Sequence, residues 1–204
     1  MNAARKRMSA IRGGRLAARV RGRHVTLVYS DVSTGDLASV ASGPTITAGS
    51  PAILIADNDT LTATAASLVS REGHRPIRYE GQIETDVSIA ARDLARRASH
   101  LHPGEVLVAG GEPTVVVRGA GRGGRCSELA VRFALEGGHQ RITALFASSD
   151  GVDGSSGAAG FRVDLPATLD RSDTAAALAA SDSLRPASEI GRPIIIPPTG
   201  NNLR

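Results

Sequence analysis

The residues best suited to chemistry lie between Thr114 and Leu135. Gly119, Gly121 and Gly124 fit G-x-G-x-x-G, placed between a strand-like run and a helix-like one. In that context backbone N–H groups and a helix N-terminus hold phosphate. Arg122 and Arg125 stand in the same loop, and their guanidinium forks suit phosphate or carboxylate oxygens. Gly119, Gly121, Gly123 and Gly124 are therefore expected to bind a nucleotide, with Arg125 and Arg122 neutralising the reacting phosphoryl group. A glycine-rich turn with solvated arginines is the structural alternative. A dinucleotide loop is another, but it wants an acidic residue at the end of the next strand. Asp150 is the nearest candidate and comes late, and two arginines crowd a loop whose backbone must approach a pyrophosphate. A phosphoryl-transfer site is the better physical fit.

The second constellation is Ser148-Ser149-Asp150-Gly151-Val152-Asp153-Gly154. Two carboxylates three residues apart, on a chain bent by glycine, suit Mg²⁺ held through one or two oxygens. A turn in which both aspartates bond their own backbone is the alternative. A Walker A loop and a G-x-S-x-G elbow are both absent. His100 and His102 have no third partner that would make them a zinc site.

Strands and helices must position these loops. Strands are expected over His24–Tyr29, Ile77–Tyr79, Glu105–Ala109, Thr114–Arg118, Ile142–Phe146 and Pro193–Ile196. Helices are expected from an Asp59 cap to about Arg71, over Asp86–Ser99, over Glu128–Leu135 and over Asp173–Ala180. Gly110-Gly111 reads as the turn between two strands, and residues 30–47 as a long loop. Strands alternating with helices give an α/β fold class, with a break between halves near His102-Pro103.

Composition narrows the partners. Aromatic residues are only 2% of the chain, with no Trp, so Ala, Val, Leu and Ile must build the core. The net charge is +4, and Lys6 is the only lysine among 24 basic residues, so the positive charge is almost all arginine. Arginine favours discrete bidentate anion sites. Without stacking aromatics or a reading helix, nucleic acid is not the expected partner. The single cysteine, Cys126, excludes an intrachain disulfide and fits a reducing, cytoplasmic setting. No membrane span or signal segment is evident.

Five blocks resemble the glycerate 2-kinases that end in a MOFRL domain. Asn2 to Ala17 is similar to N-x-V-R-K-H-L-S-x-I-K-G-G-R-L-A. Ser30-Asp31-Val32, Gly35-Asp36-Leu37 and Ala41-Ser42-Gly43-Pro44-Thr45 resemble S-D-V…G-D-D…A-S-G-P-T. Gly110-Gly111-Glu112-Pro113-Thr114, followed by Arg118 to Ala130, resembles G-G-E-T-T…R-G-x-G-R-G-G-R-N-Q-E-L-A. Asp150 to Gly154 with Ala158-Ala159-Gly160, and then Pro198 to Asn202, follow in family order.

The resemblance implies a remnant of a Rossmann-like N-terminal domain, residues 1–102, followed by an incomplete MOFRL α/β domain, residues 103–204. It implies transfer of a phosphoryl group from ATP, with Mg²⁺, to D-glycerate. Arg125, or else Arg122, matches the family's catalytic arginine. Asp31 joins Asp150 and Asp153 as a metal candidate. Ser42, Gly43, Thr45, Glu112, Thr199, Gly200 and Asn201 are expected to line the site. The family's catalytic lysine matches nothing in these residues. The chain is thus expected to be a fragment shortened at both ends, inactive without the missing N-terminal part. An NAD(P)-dependent hydroxypyruvate reductase and a non-catalytic anion-binding fragment are the alternatives. Departures from the family pattern sit at polar loop positions: Arg7, Arg12, Cys126-Ser127, Asn202, and Gly157 where an Asp is usual.

Overall fold

A computed structural model describes residues 2–30, 32, 35–138 and 140–203. The expected metal candidate Asp31 lies outside the described residues. The fold is mixed α/β and divides into two compact units, residues 1–64 with 203–204 and residues 65–202. Residues 65–102 thus group with the C-terminal half.

In the first unit, helix α1 (Asn2–Met8) precedes two parallel strands, β1 (Thr26–Tyr29) and β2 (Ala52–Ala56). Thr26 pairs with Ala52 and Val28 with Leu54. Ala52–Ala56 is a strand beyond those expected, formed by the apolar run Ala-Ile-Leu-Ile-Ala. The Arg15 guanidinium closes the end of α1 by donating to the carbonyl oxygens of Lys6 (2.7 Å) and Ser9. Within the expected loop, residues Leu37–Ser42 form short 3-10 turns. Helix α2 (Asn58–Arg71) begins in this unit, and the boundary between units falls within it. Its cap is Asp57 rather than the expected Asp59: the Asp57 carboxylate accepts the Thr60 N–H at 2.9 Å.

In the second unit, β3 (Arg75–Arg78) and β4 (Glu105–Val108) pair in parallel around helix α3 (Val87–Ala98). The pairing continues as single bridges, Ile83 to Gly111 and Asp86 to Thr114. These bridges replace the expected turn at Gly110-Gly111. Thr114–Arg118 is not a strand, because beyond Thr114 no described strand pairs with it, and Val117 is 76% exposed. Helix α4 (Arg125–Gly137) follows the glycine loop directly. The antiparallel sheet comprises β5 (Thr143–Ala147), β6 (Gly160–Asp164) and β7 (Gly191–Ile194), in the order β5-β6-β7. Helices α5 (Arg171–Ala179) and α6 (Leu184–Ile190) lie between β6 and β7 in the chain.

Small residues let α3 and α4 pack closely in this unit. Ala90, Ala91, Leu94 and Ala98 of α3 share a buried core with Ala130, Val131 and Phe133 of α4. Phe161 and Val163 of β6 complete it with no exposed surface. Phe133 meets Phe146 edge to face at 5.3 Å, and Phe146 pairs across the sheet with Phe161. The chain has only three phenylalanines, and all three converge here. The aliphatic core expected from composition therefore has an aromatic centre.

Candidate functional site

The glycine loop does not offer a free cradle of amides. Two other segments of the second unit take several of its N–H groups. On one side, Arg118 N donates to Ser181 Oγ (2.9 Å), Gly121 N to the Ala180 carbonyl (3.1 Å) and Arg122 N to the Asp182 carboxylate (3.2 Å). On the other, Gly123 N donates to Ser155 Oγ (3.1 Å), and Ser155 N returns a bond to the Gly123 carbonyl (2.8 Å). Gly124 N donates to Ser127 Oγ at 2.8 Å. The α4 N-terminus is closed by Asp153, whose two carboxylate oxygens accept from Cys126 N (2.8 Å) and Ser127 N (2.9 Å).

The glycines are required by these close approaches. A Cβ at Gly119 would collide with the Ala180 backbone, at Gly121 with Asp182, and at Gly124 with Asp153. The G-x-G-x-x-G spacing thus marks a loop pressed between two neighbours. That packing holds the side chains of Arg122 and Arg125 outward, and both residues are exposed. The Arg122 guanidinium donates to the Ser155 carbonyl at 3.3 Å, and Arg125 forms a 2.8 Å ion pair with Glu112.

The aspartate loop lies beside this arrangement. Asp150 Oδ1 accepts from Ser148 Oγ (2.7 Å) and Val152 N (2.8 Å), a self-bonded turn. Thr199 joins it through N to the Asp150 carbonyl (2.9 Å) and through Oγ1 to the Ser149 carbonyl (2.6 Å). Gly200 and Asn201 follow on the exposed tail, where Asn201 N donates to Thr199 Oγ1. Cys126 registers the local charge. Its thiol pKa is raised, first by burial and then by the negative charges of Asp153 and Asp150, against a smaller opposing effect from Arg125.

The structure therefore gathers Glu112, the glycine loop, Arg122, Arg125, Asp150, Asp153 and Thr199 within the second unit. Ser42, Gly43 and Thr45 belong to the first. There the Ser42 and Gly43 carbonyls accept from Gly13 N (3.0 Å) and Gly14 N (2.8 Å), joining two of the sequence blocks. Ala41, Ser42 and Gly43 all have positive φ, a costly conformation for Ala and Ser of the kind that clusters at functional sites. Among the described residues no three His, Cys, Asp or Glu side chains group as a metal site. Two depressions, lined by residues such as Arg141, Leu165 and Pro166, include none of the candidate residues.

Sequence reasoning missed the residues that hold the loop: Ser127, Ser155, Asp182 and Ser183. Ser127 Oγ lies 2.9 Å from Ser183 Oγ, and both residues are buried. A signal was available in the polar run Ser181-Asp182-Ser183, which directly precedes a helix.

Residues 105–204 match the family model described as the MOFRL family, and residues 1–69 match one described as a domain of unknown function, DUF4147. The chain thus carries MOFRL and DUF4147 domain sequence. It is 31% identical over 201 residues to a protein named glycerate 2-kinase from Sulfurisphaera tokodaii, which covers 80% of this chain and 50% of that relative. It is 30% identical over 261 residues to an Agrobacterium vitis protein with a provisional name of hydroxypyruvate reductase, which covers 100% of this chain and 58% of that one. The crystal structure of a Thermotoga maritima glycerate kinase matches with a TM-score of 0.85 and 27% identity, over 100% of this chain and 61% of its own. The chain thus spans about half the length of the curated kinase it matches. No described helix is long and apolar enough to cross a membrane.

Proposed function

We propose that this chain is part of a glycerate 2-kinase, which transfers the terminal phosphoryl group of ATP to D-glycerate. The observation that carries this reading is the outward pair Arg122 and Arg125 on a loop whose amides from Gly121 to Gly124 are already bonded. Such a loop grips anions with guanidinium groups, and two positive charges suit the oxygens of a phosphoryl group in transfer. A glycerate hydroxyl oxygen forms a bond to the γ-phosphorus as the bridging P–O bond to ADP breaks. The hydroxyl proton is released, and the negative charge moves to the ADP oxygen. Arg125 and Arg122 neutralise the equatorial oxygens during that shift, while Glu112 fixes the Arg125 fork until phosphate competes for it.

Asp150 fits a role in holding Mg²⁺, since one carboxylate, phosphate oxygens and water suffice for that ion. Its turn already fixes the carboxylate through Ser148 and Val152. When bound there, Mg²⁺ would supply further positive charge at the phosphate oxygens. Asp31 is retained as a second metal candidate, and Thr199 to Asn201 as a wall of the site. Ser42, Gly43 and Thr45 are assigned to ATP or glycerate binding on the strength of the strained Ala41–Gly43 turn. A sequence division near residue 102 is supported by the MOFRL match beginning at residue 105, whereas the compact units divide within α2.

The reductase reading is weaker, because a dinucleotide loop needs free amides against the pyrophosphate, and here those of Gly121, Gly123 and Gly124 are bonded within the chain. The reading places the family's catalytic lysine on a polypeptide segment outside these residues. The test is ADP release from Mg²⁺-ATP and D-glycerate. It is run on the chain alone and on the chain mixed with the portion of the Sulfurisphaera tokodaii kinase outside the matched region. Turnover is expected only in the mixture. Oxidation of NADPH with hydroxypyruvate, without ADP release, would overturn the kinase reading in favour of the reductase.

A further inference from the structure

Asp153 invites a metal role by sequence, since it follows Asp150 by three residues in a glycine-rich loop. Its surroundings point elsewhere. The residue is 2% exposed, and each carboxylate oxygen accepts a backbone N–H from the first turn of α4. The first amides of a helix lack intrahelical acceptors and carry its positive dipole end, so a carboxylate there is the natural counter-charge. It comes from a loop 26 residues later in the chain than Ser127. The same loop is tied to the glycine segment by the reciprocal Gly123 and Ser155 bonds. Gly154 sits so close to the Gly123 carbonyl that no Cβ fits between them.

We infer that Asp153 is a positioning residue: it is the resident anion of the α4 N-terminus and sets the direction of Arg122 and Arg125. This rests on the proposed phosphoryl-transfer site and adds how that site is built. The helix end that would otherwise take a substrate phosphate is filled by the protein itself. Substrate anions are left to the two guanidinium groups. Asp150, whose turn faces Ser148 and Val152, remains the carboxylate for metal.

The test compares wild type with Asp153→Asn and Asp153→Ala, using three measurements. Amide hydrogen exchange reports Cys126 and Ser127 directly. Calorimetry gives the affinity for ATP in EDTA and, separately, for Mn²⁺ alone. Thermal melting reports the fold. Faster exchange at these two amides is expected in both variants, with melting lowered by roughly 5–10 °C in Asp153→Ala, as expected for orphaned buried donors. ATP affinity without metal should fall about tenfold because the arginines lose their alignment, which is the size of one lost charge-assisted bond. Mn²⁺ affinity should stay within about twofold. Unchanged exchange, or loss of Mn²⁺ binding with metal-free ATP affinity intact, would overturn the inference and make Asp153 a metal ligand. If Asp153→Ala does not fold, Asp153→Asn, which keeps the shape and one acceptor, carries the same comparison. If wild type binds no ATP, the kinase reading fails, while exchange and melting still decide whether Asp153 holds the helix end.

Discussion

The two units treat their apolar residues differently. In the second, Phe161, Val163, Ala130 and Val131 have no exposed surface, and the glycine loop is fixed from both sides by hydrogen bonds. In the first, the parallel pair β1–β2 leaves Leu27 65%, Ile53 50% and Ile55 49% exposed, and among the described residues only Ala17, Val28 and Ala56 are buried hydrophobics. Parallel sheets are ordinarily covered on both faces. Unit two thus carries its own core and its own positioned arginines, whereas the first shows apolar strands without a comparable interior.

Core truncation gives the sharpest test of this difference. Phe161→Ala should destabilise the chain by about 3–5 kcal/mol, because a fully packed ring is lost beside Phe146. Leu27→Ala should cost about 0.5 kcal/mol or less, as for an exposed position. Denaturant melts of both variants check this. A large loss at Leu27 would mean that β1 is covered in solution.

The site depends on the same rigidity. Arg125→Ala should lower kcat for ADP release by about 10²–10³-fold in the reconstituted mixture, with a smaller change in the glycerate KM. Unchanged kcat would leave Arg125 as a surface partner of Glu112 and move the role to Arg122.

A smaller effect is expected at the α3 cap. Asp86 accepts the Ser88 N–H at 2.8 Å, and its pKa is held below the usual aspartate value by the Ser88 hydroxyl and then by that amide. Asp86→Ala should cost about 1 kcal/mol at pH 7. Because the folded pKa is the lower one, this contribution is present above the unfolded value near 3.8 and is lost as pH falls through the folded value. Melts of wild type and variant should therefore converge as pH falls through the folded value. A gap that persists there would exclude the carboxylate as the cause.

Cys126 offers the mildest probe. With its thiol pKa raised by burial and by Asp153 and Asp150, it should react slowly with iodoacetamide at pH 8 in the native chain and readily in urea. Rapid native labelling would show that the α4 N-terminus opens.

Much of this was legible in the sequence where local pattern and tertiary partner agree. The helical spacing over Asp86–Ser99 gave α3, and Gly119–Gly124 before an amphipathic run gave the loop and α4. Failures came where pairing overrides propensity. Val115-Val116-Val117 has strand composition but pairs with no described strand, so it stays irregular. Ala52–Ala56 and Gly160–Asp164 are strands because Thr26–Tyr29 and Thr143–Ala147 lie beside them, a non-local fact. Helix α6 was hidden by Pro186, which is tolerated because it falls in the first turn. The arginines were visible as charge, but the use of the loop amides was not. That use depends on Asp153, Ser155, Ala180 and Asp182, which only the fold brings to the glycines.

The most direct test of the central claim, that guanidinium side chains form the anion site, is calorimetric titration of wild type and Arg122→Ala/Arg125→Ala with ATP and with NADPH. The account predicts that ATP binds wild type, weakens by at least about tenfold in the double variant, and outcompetes NADPH. ATP affinity untouched by the double substitution, or NADPH bound more tightly than ATP, would contradict it.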